Sequence, residues 1–127
     1  MPSYDTSRFN PPAPLVSVTL RSLQTDVSVS GVELLLDTGA DITLVPRLAL
    51  ETLDSSALTG EQYELVGFDG SRSHAFVARL DMIFLGRTYR GRYLITEEPM
   101  GILGRDILNH AILLLDGPQQ LWTEHTV

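Results

Sequence analysis

Val32-Glu33-Leu34-Leu35-Leu36-Asp37-Thr38-Gly39-Ala40-Asp41 is the stretch on which the reading of this chain turns. Its first half, Val32 to Leu36, is a nearly continuous apolar run of a length that suits a strand buried on both faces. The run then delivers a carboxylate, a small hydroxyl residue and a glycine in succession. Glycine lets the chain turn sharply and lets other backbone approach closely. Asp37 is thereby held at the end of a rigid strand, where it need not be solvated. Two such carboxylates brought together could not both ionise comfortably; they would share one proton and titrate as a pair. Asp-Thr-Gly also suits an ordinary β-turn, so the tripeptide alone leaves both readings open.

Outward from this stretch the pattern remains that of short strands. Leu15 to Leu20 alternates, with Val16, Val18 and Leu20 on one face and Ser17 and Thr19 on the other, and Val27 to Val29 continues in kind. Thr43 to Val45 resumes as a strand that Pro46 stops, Leu48 to Leu53 suits a short helical turn, and residues 55–62 read as a polar loop. Tyr63 to Val66 enters a hairpin whose tip is Gly67-Phe68-Asp69-Gly70-Ser71, and its long return arm places Phe76, Ala78, Leu80, Met82 and Phe84 on one face. Tyr89 to Thr96 is a further strand, Arg105 to His110 the best candidate for a helix, and Ala111 to Leu115 with Leu121-Trp122 suggests a closing hairpin about Asp116-Gly117. Many short strands and one short C-terminal helix predict an all-β domain, a sandwich or partly closed barrel.

Composition narrows the chemistry. The chain has 127 residues, a length for one domain, and no cysteine, which removes disulfides, thiolate nucleophiles and zinc–thiolate clusters. A net charge of -7 argues against a nucleic-acid or anionic-membrane surface. All nine basic residues are arginine, which excludes lysine Schiff-base and P-loop chemistry. The cluster Arg87, Arg90, Arg92 reads as a solvated strand edge. His74, His110 and His125 lack metal-ligand spacing, so no metal is expected, and no cofactor either; no Gly-x-Ser-x-Gly elbow occurs, so a serine triad has no support. No run approaches the roughly 18 apolar residues of a membrane span. Residues 1–13 are polar, share in the four of seven prolines that precede Leu15, and lack a signal peptide's apolar core. They are expected to form a flexible arm before a domain at 14–127, with a cytoplasmic location as the default.

The segment Leu35 to Asp41 resembles the active-site strand and loop of retropepsins, the single-domain aspartic peptidases of retroviral type. About 60 residues on, Gly101-Ile102-Leu103-Gly104-Arg105-Asp106-Ile107-Leu108 is similar to their second signature, and Pro14-Leu15-Val16 to the start of their first strand. The resemblance spans about Pro14 to Leu115 and implies a retropepsin-like barrel. It implies Asp37 as the catalytic aspartate, Thr38 as a hydrogen-bonding lock across a dimer, and Gly39 as a carbonyl offered to substrate. Asp41 would hold the substrate main chain, with Arg105 beneath it as a bidentate partner. Gly67 and Phe68 fall on the flap that closes over substrate, and Met100 and Ile102 where specificity pockets are lined.

Three departures stand beside these matches. The flap tip is more polar than the retroviral one, Ala13 stands where the retroviral pattern places an arginine, and the C-terminal hairpin looks more like the cellular retropepsin-like domain of the DNA-damage-inducible family. Leu113, Leu115, Leu121 and Trp122 would leave an apolar patch on a monomer. A two-lobed pepsin carries two aspartates on one chain of well over twice this length, whereas this chain supplies one Asp-Thr-Gly. The expectation is a C2 homodimer acting on polypeptides, its interface drawn from the Thr38 loop, the flap tips and the C-terminal strands, with a bell-shaped, acid-side pH profile. The competing functions are a retropepsin-fold dimerisation or peptide-binding module with a degenerate site, and an unrelated β-barrel in which Asp37-Thr38-Gly39 is only a turn.

Overall fold

The computed structural model describes residues 2–53 and 57–125. Ten strands and two one-turn helices follow one another as β1 (Tyr4–Asp5), β2 (Ala13–Arg21), β3 (Ser28–Leu36), β4 (Leu44–Pro46), α1 (Arg47–Leu50), β5 (Leu58–Val66), β6 (Arg72–Phe84), β7 (Arg87–Thr96), β8 (Gly101–Leu103), α2 (Arg105–Leu108), β9 (Leu113–Asp116) and β10 (Leu121–Glu124). Eight strands form one sheet in the order β1-β2-β3-β8-β4-β7-β6-β5, and a second pairing of β2 with β6 curls it into a partly closed barrel. β9 and β10 make a separate hairpin. The all-β expectation therefore holds, with α1 added to the C-terminal helix. No helix among the described residues is long and apolar enough to cross a membrane.

Period two explains which side chains fill the barrel. Val16, Val18 and Leu20 from β2, Val32 and Leu34 from β3, and Ala78, Leu80, Met82 and Phe84 from β6 are all buried together. Burying each larger aliphatic or aromatic side chain contributes about 1.5–3 kcal/mol, so these alternating faces decide the register. Phe76 shares the inward face by period yet is 45% exposed, because there β6 has left the barrel for the β5–β6 hairpin. Asp81, on the opposite face of β6, is buried at 2% and is bound by Arg21 and Arg90.

Three readings change. Residues 2–8 do not trail as a flexible arm: β1 pairs with Ala13 and Pro14, Tyr4 N–H donates to the Gln120 carbonyl, and Trp122 N–H donates to the Pro2 carbonyl. Of the polar loop expected at 55–62, residues 55 and 56 lie outside the described residues, and Leu58 to Gln62 is already strand. A bulge between Leu58 and Gln62, with Gly60 at φ +77°, breaks the alternation that would have announced it. The arginine-bearing half of β7 lies beyond the three residues that β4 covers, an edge as expected. Each guanidinium there is nonetheless engaged: Arg87 with the His110 carbonyl, Arg90 with Asp81 and Arg92 with Glu61.

Candidate active site

The parallel pairing of β3 with β8 positions Asp37. Leu34, Leu35 and Leu36 lie opposite Gly101, Ile102 and Leu103. Side chains have no room at the start of that ladder: a Cβ on Gly101 would lie 2.2 Å from the Leu44 carbonyl oxygen. Asp37 N–H then donates to the Leu103 carbonyl at 3.1 Å, one step past the last paired residue. Beyond it the chain folds back on the carboxylate. Gly39 N–H donates to Asp37 Oδ1 at 2.9 Å, and Ala40 N–H to the Asp37 carbonyl at 3.2 Å. A Cβ on Gly39 would sit 3.1 Å from Asp37 Oδ1, a contact that favours glycine here. Asp37 is half-buried, and Thr38 and Gly39 are exposed.

The loop is tied from below by α2. Arg105 N–H donates to the Ala40 carbonyl at 2.8 Å, and Arg105 Nη1 donates to the Thr38 carbonyl at 2.7 Å. The expected Arg105–Asp41 ion pair does not form; the guanidinium is spent on the Thr38 carbonyl, and Asp41 is exposed. A second tie uses residues that the sequence reading did not single out. Thr43 is fully buried, and its hydroxyl donates to Asp106 Oδ1 at 2.6 Å while accepting the Gly104 N–H at 3.0 Å. Asp106 Oδ2 accepts the Thr43 N–H at 3.0 Å. This knot fastens both ends of the Asp37 loop to one helical turn. The single available signal was a polar residue three positions before the strand stop at Pro46, which needs its partner known to be read.

The β5–β6 hairpin carries the tip expected to serve as the flap. Gly67 N–H bonds the Ser71 carbonyl at 2.8 Å, Gly70 N–H the Gly67 carbonyl at 3.0 Å, and Ser71 N–H donates to Asp69 Oδ1 at 2.9 Å. The Ser71 hydrogen bonds hold the Asp69 carboxyl below the usual carboxylate range. Phe68 at the tip is fully exposed. Met100 and Ile102 are half-buried beside β3 and line, with Leu35, a cavity of about 320 Å³. The predicted C-terminal patch is redrawn. Trp122 is buried, its ring tilted at 36° against Phe84 with centroids 6.3 Å apart, and it donates its indole N–H to the Leu15 carbonyl at 2.7 Å. Leu113 and Leu121 are half-buried; the exposed apolar residues are Ile112, Leu114 and Leu115. Leu115 also borders a groove with Leu36 and Thr38, next to the Asp37 loop.

Known proteins agree with this geometry. No curated protein matches the chain. Among solved structures, the EIAV protease complexed with the inhibitor HBY-793 superimposes with a TM-score of 0.57 and 27% identity, over 77% of this chain and 86% of that one. The family model for retroviral aspartyl protease matches residues 12–116, a span that holds the Asp37 loop, the flap hairpin and the α2 tie in a single unit. An unrelated barrel with Asp37-Thr38-Gly39 as a mere turn is thereby set aside, and the chain belongs to the retroviral aspartyl protease family.

Proposed function

We propose that the chain is one protomer of a homodimeric aspartic endopeptidase, with Asp37 of each copy meeting on the two-fold axis. The observation that carries this is a single half-buried Asp37, held at a strand end by Gly39 N–H at 2.9 Å on a loop braced twice by α2. One such carboxylate is half of a dyad, and a C2 interface is the economical source of the other. Exposed Leu115, which lines the groove with Thr38, supports an interface built from that loop and the C-terminal strands, with the flap tips meeting above.

In the assembled site one Asp37 acts as general base and the other, protonated, as general acid. The base takes a proton from water, whose oxygen forms a bond to the scissile carbonyl carbon. The acid donates to the carbonyl oxygen, giving a gem-diol. Collapse of the diol breaks the C–N bond, and a proton passes to the departing nitrogen. Gly39 and Asp41 serve the substrate backbone, the flap at Gly67 and Phe68 closes over it, and Met100 and Ile102 meet its side chains. The pair must hold one proton, so rate against pH is bell-shaped with its optimum on the acid side.

The deciding experiment compares wild type with Asp37→Asn on a mixed peptide library at acidic pH, with and without a statine-type inhibitor. Cleavage lost in Asp37→Asn and blocked by the inhibitor supports the dyad. Cleavage that persists in Asp37→Asn overturns it. A stable dimer that cleaves nothing in either form supports the degenerate peptide-binding module instead.

A further inference from the structure

The loop between β1 and β2, residues 6–12, does not lie idle against the barrel. Asp5 accepts the Ser7 N–H at 2.9 Å and the Arg8 N–H at 2.8 Å on Oδ1, and Arg8 Nε at 2.6 Å on Oδ2. Arg8 Nη2 also donates to both carboxylate oxygens of Glu33 on β3, at 3.2 and 3.1 Å. These bonds, the Arg8 N–H foremost, hold the Asp5 carboxyl down at about 2. The clamp turns the next residue, Phe9, inward, where it is half-buried and walls the same cavity as Leu35, Met100 and Ile102. Leu35 lies two residues before Asp37, about 7 Å of extended chain, and Ile102 pairs with it. The cavity's wall thus comes within two residues of Asp37 along β3.

We infer that Phe9, held by the Arg8–Asp5–Glu33 clamp, is a specificity-determining wall of the pocket that receives the substrate side chain next to the scissile bond, and selects a large apolar or aromatic residue there. The inference rests on the peptidase reading. Phe9, Leu35, Met100 and Ile102 make the lining largely apolar, and its one cation, Arg8, is already shared by two carboxylates. Glu98 in the lining adds negative charge. An acidic substrate side chain would meet no free cation and one like charge, whereas an aromatic ring would replace water against Phe9 and Leu35. Phe9 is supplied by a segment before the first barrel strand, and Arg8 acts through it as a positioning residue.

The test measures kcat/KM for two peptides that differ only in Phe or Ala at the residue next to the cleaved bond. Removing an apolar wall changes discrimination between large and small side chains by about tenfold or more. Phe9→Ala is expected to lower the Phe-over-Ala ratio about tenfold, Phe9→Leu less, and Arg8→Ala in the same direction. A general folding defect would lower both substrates alike and leave the ratio unmoved. A ratio unchanged in Phe9→Ala, with both peptides still cleaved, overturns the pocket assignment while leaving the peptidase reading intact. If wild type cleaves nothing, calorimetry with statine peptides bearing Phe or Ala at the central side chain replaces turnover. A preference for Phe that falls in Phe9→Ala then supports the pocket alone, and equal or no binding overturns it.

Discussion

Thr43→Val is the substitution that most directly weighs the brace beneath the Asp37 loop. Valine keeps the branched shape at a fully buried position and removes one oxygen. Two bonds go with it: the 2.6 Å bond to Asp106 Oδ1 and the 3.0 Å bond from Gly104 N–H. A hydrogen bond to a charged group contributes about 1.5–3 kcal/mol, and orphaning a buried N–H costs about 1–3 kcal/mol. Asp106 keeps the Thr43 N–H and is half-buried, so part of its loss is recovered from water. The expected destabilisation is about 3 kcal/mol, a large share of the roughly 5–15 kcal/mol that holds a domain folded. Urea denaturation at fixed protein concentration measures it. Trp122, the one tryptophan and 3% exposed, supplies the fluorescence signal. Thr43→Ser, which keeps the hydroxyl, should lose about 1 kcal/mol or less. A double-mutant cycle with Asp106→Asn should show a coupling of about 1 kcal/mol or more between the two positions. A loss below about 1 kcal/mol in Thr43→Val, or no coupling, would refute the claim that this knot braces the loop.

Other expectations concern charge, interface and packing. Arg90 first, then Arg21, holds the buried Asp81 carboxyl below its ordinary value. Its stabilisation is complete above the unfolded pKa near pH 4 and is lost as pH falls through the lower folded value. Asp81→Asn should cost about 2 kcal/mol at pH 7, less than a fully buried pair because both arginines can rehydrate, and thermal melts should show the gap closing below about pH 4. Leu115→Asp places two charges at a two-fold interface and should weaken the dimer at least a hundredfold, about 2.7 kcal/mol, in sedimentation equilibrium; an unchanged dimer would remove β9 from the proposed interface. Gly101→Ala drives a methyl into the Leu44 carbonyl at 2.2 Å, and soluble yield or melting temperature should collapse unless β8 detaches.

Much of this arrangement was legible before any coordinates. Asp37 at a strand end could be read because its apolar run, hydroxyl and glycine are contiguous, and the long β6 because its inward face alternates over nine residues from Phe76 to Phe84. What escaped depends on geometry between distant segments. Thr43 and Asp106 stand 63 positions apart, and no periodicity links them. Arg105 was placed on Asp41 by family likeness, but the reach of one guanidinium past a tight loop favours a carbonyl over an exposed carboxylate. The first half of β5, Leu58 to Gln62, hid behind a bulge, on a hairpin whose faces are both largely solvated. β1 has two residues and is defined by backbone bonds, which side-chain patterns do not report.

The parallel ladder beneath Asp37 also fixes when a working site can exist during synthesis. Leu34 is opposite Gly101, so the ladder joins residues 67 positions apart, the difference of those two numbers. The backbone anchor of Asp37 is the Leu103 carbonyl, and the braces follow at Gly104, Arg105 and Asp106. A ribosome that has made the Asp37 loop, the β5–β6 hairpin and most of the barrel has therefore not yet made the parts that hold Asp37 in place. Contacts of such sequence separation form late and slowly. A nascent chain stalled before residue 101 carries its aspartate on an unanchored loop, so any cleavage activity waits for nearly the whole of this domain to emerge, a delay written into strand order alone.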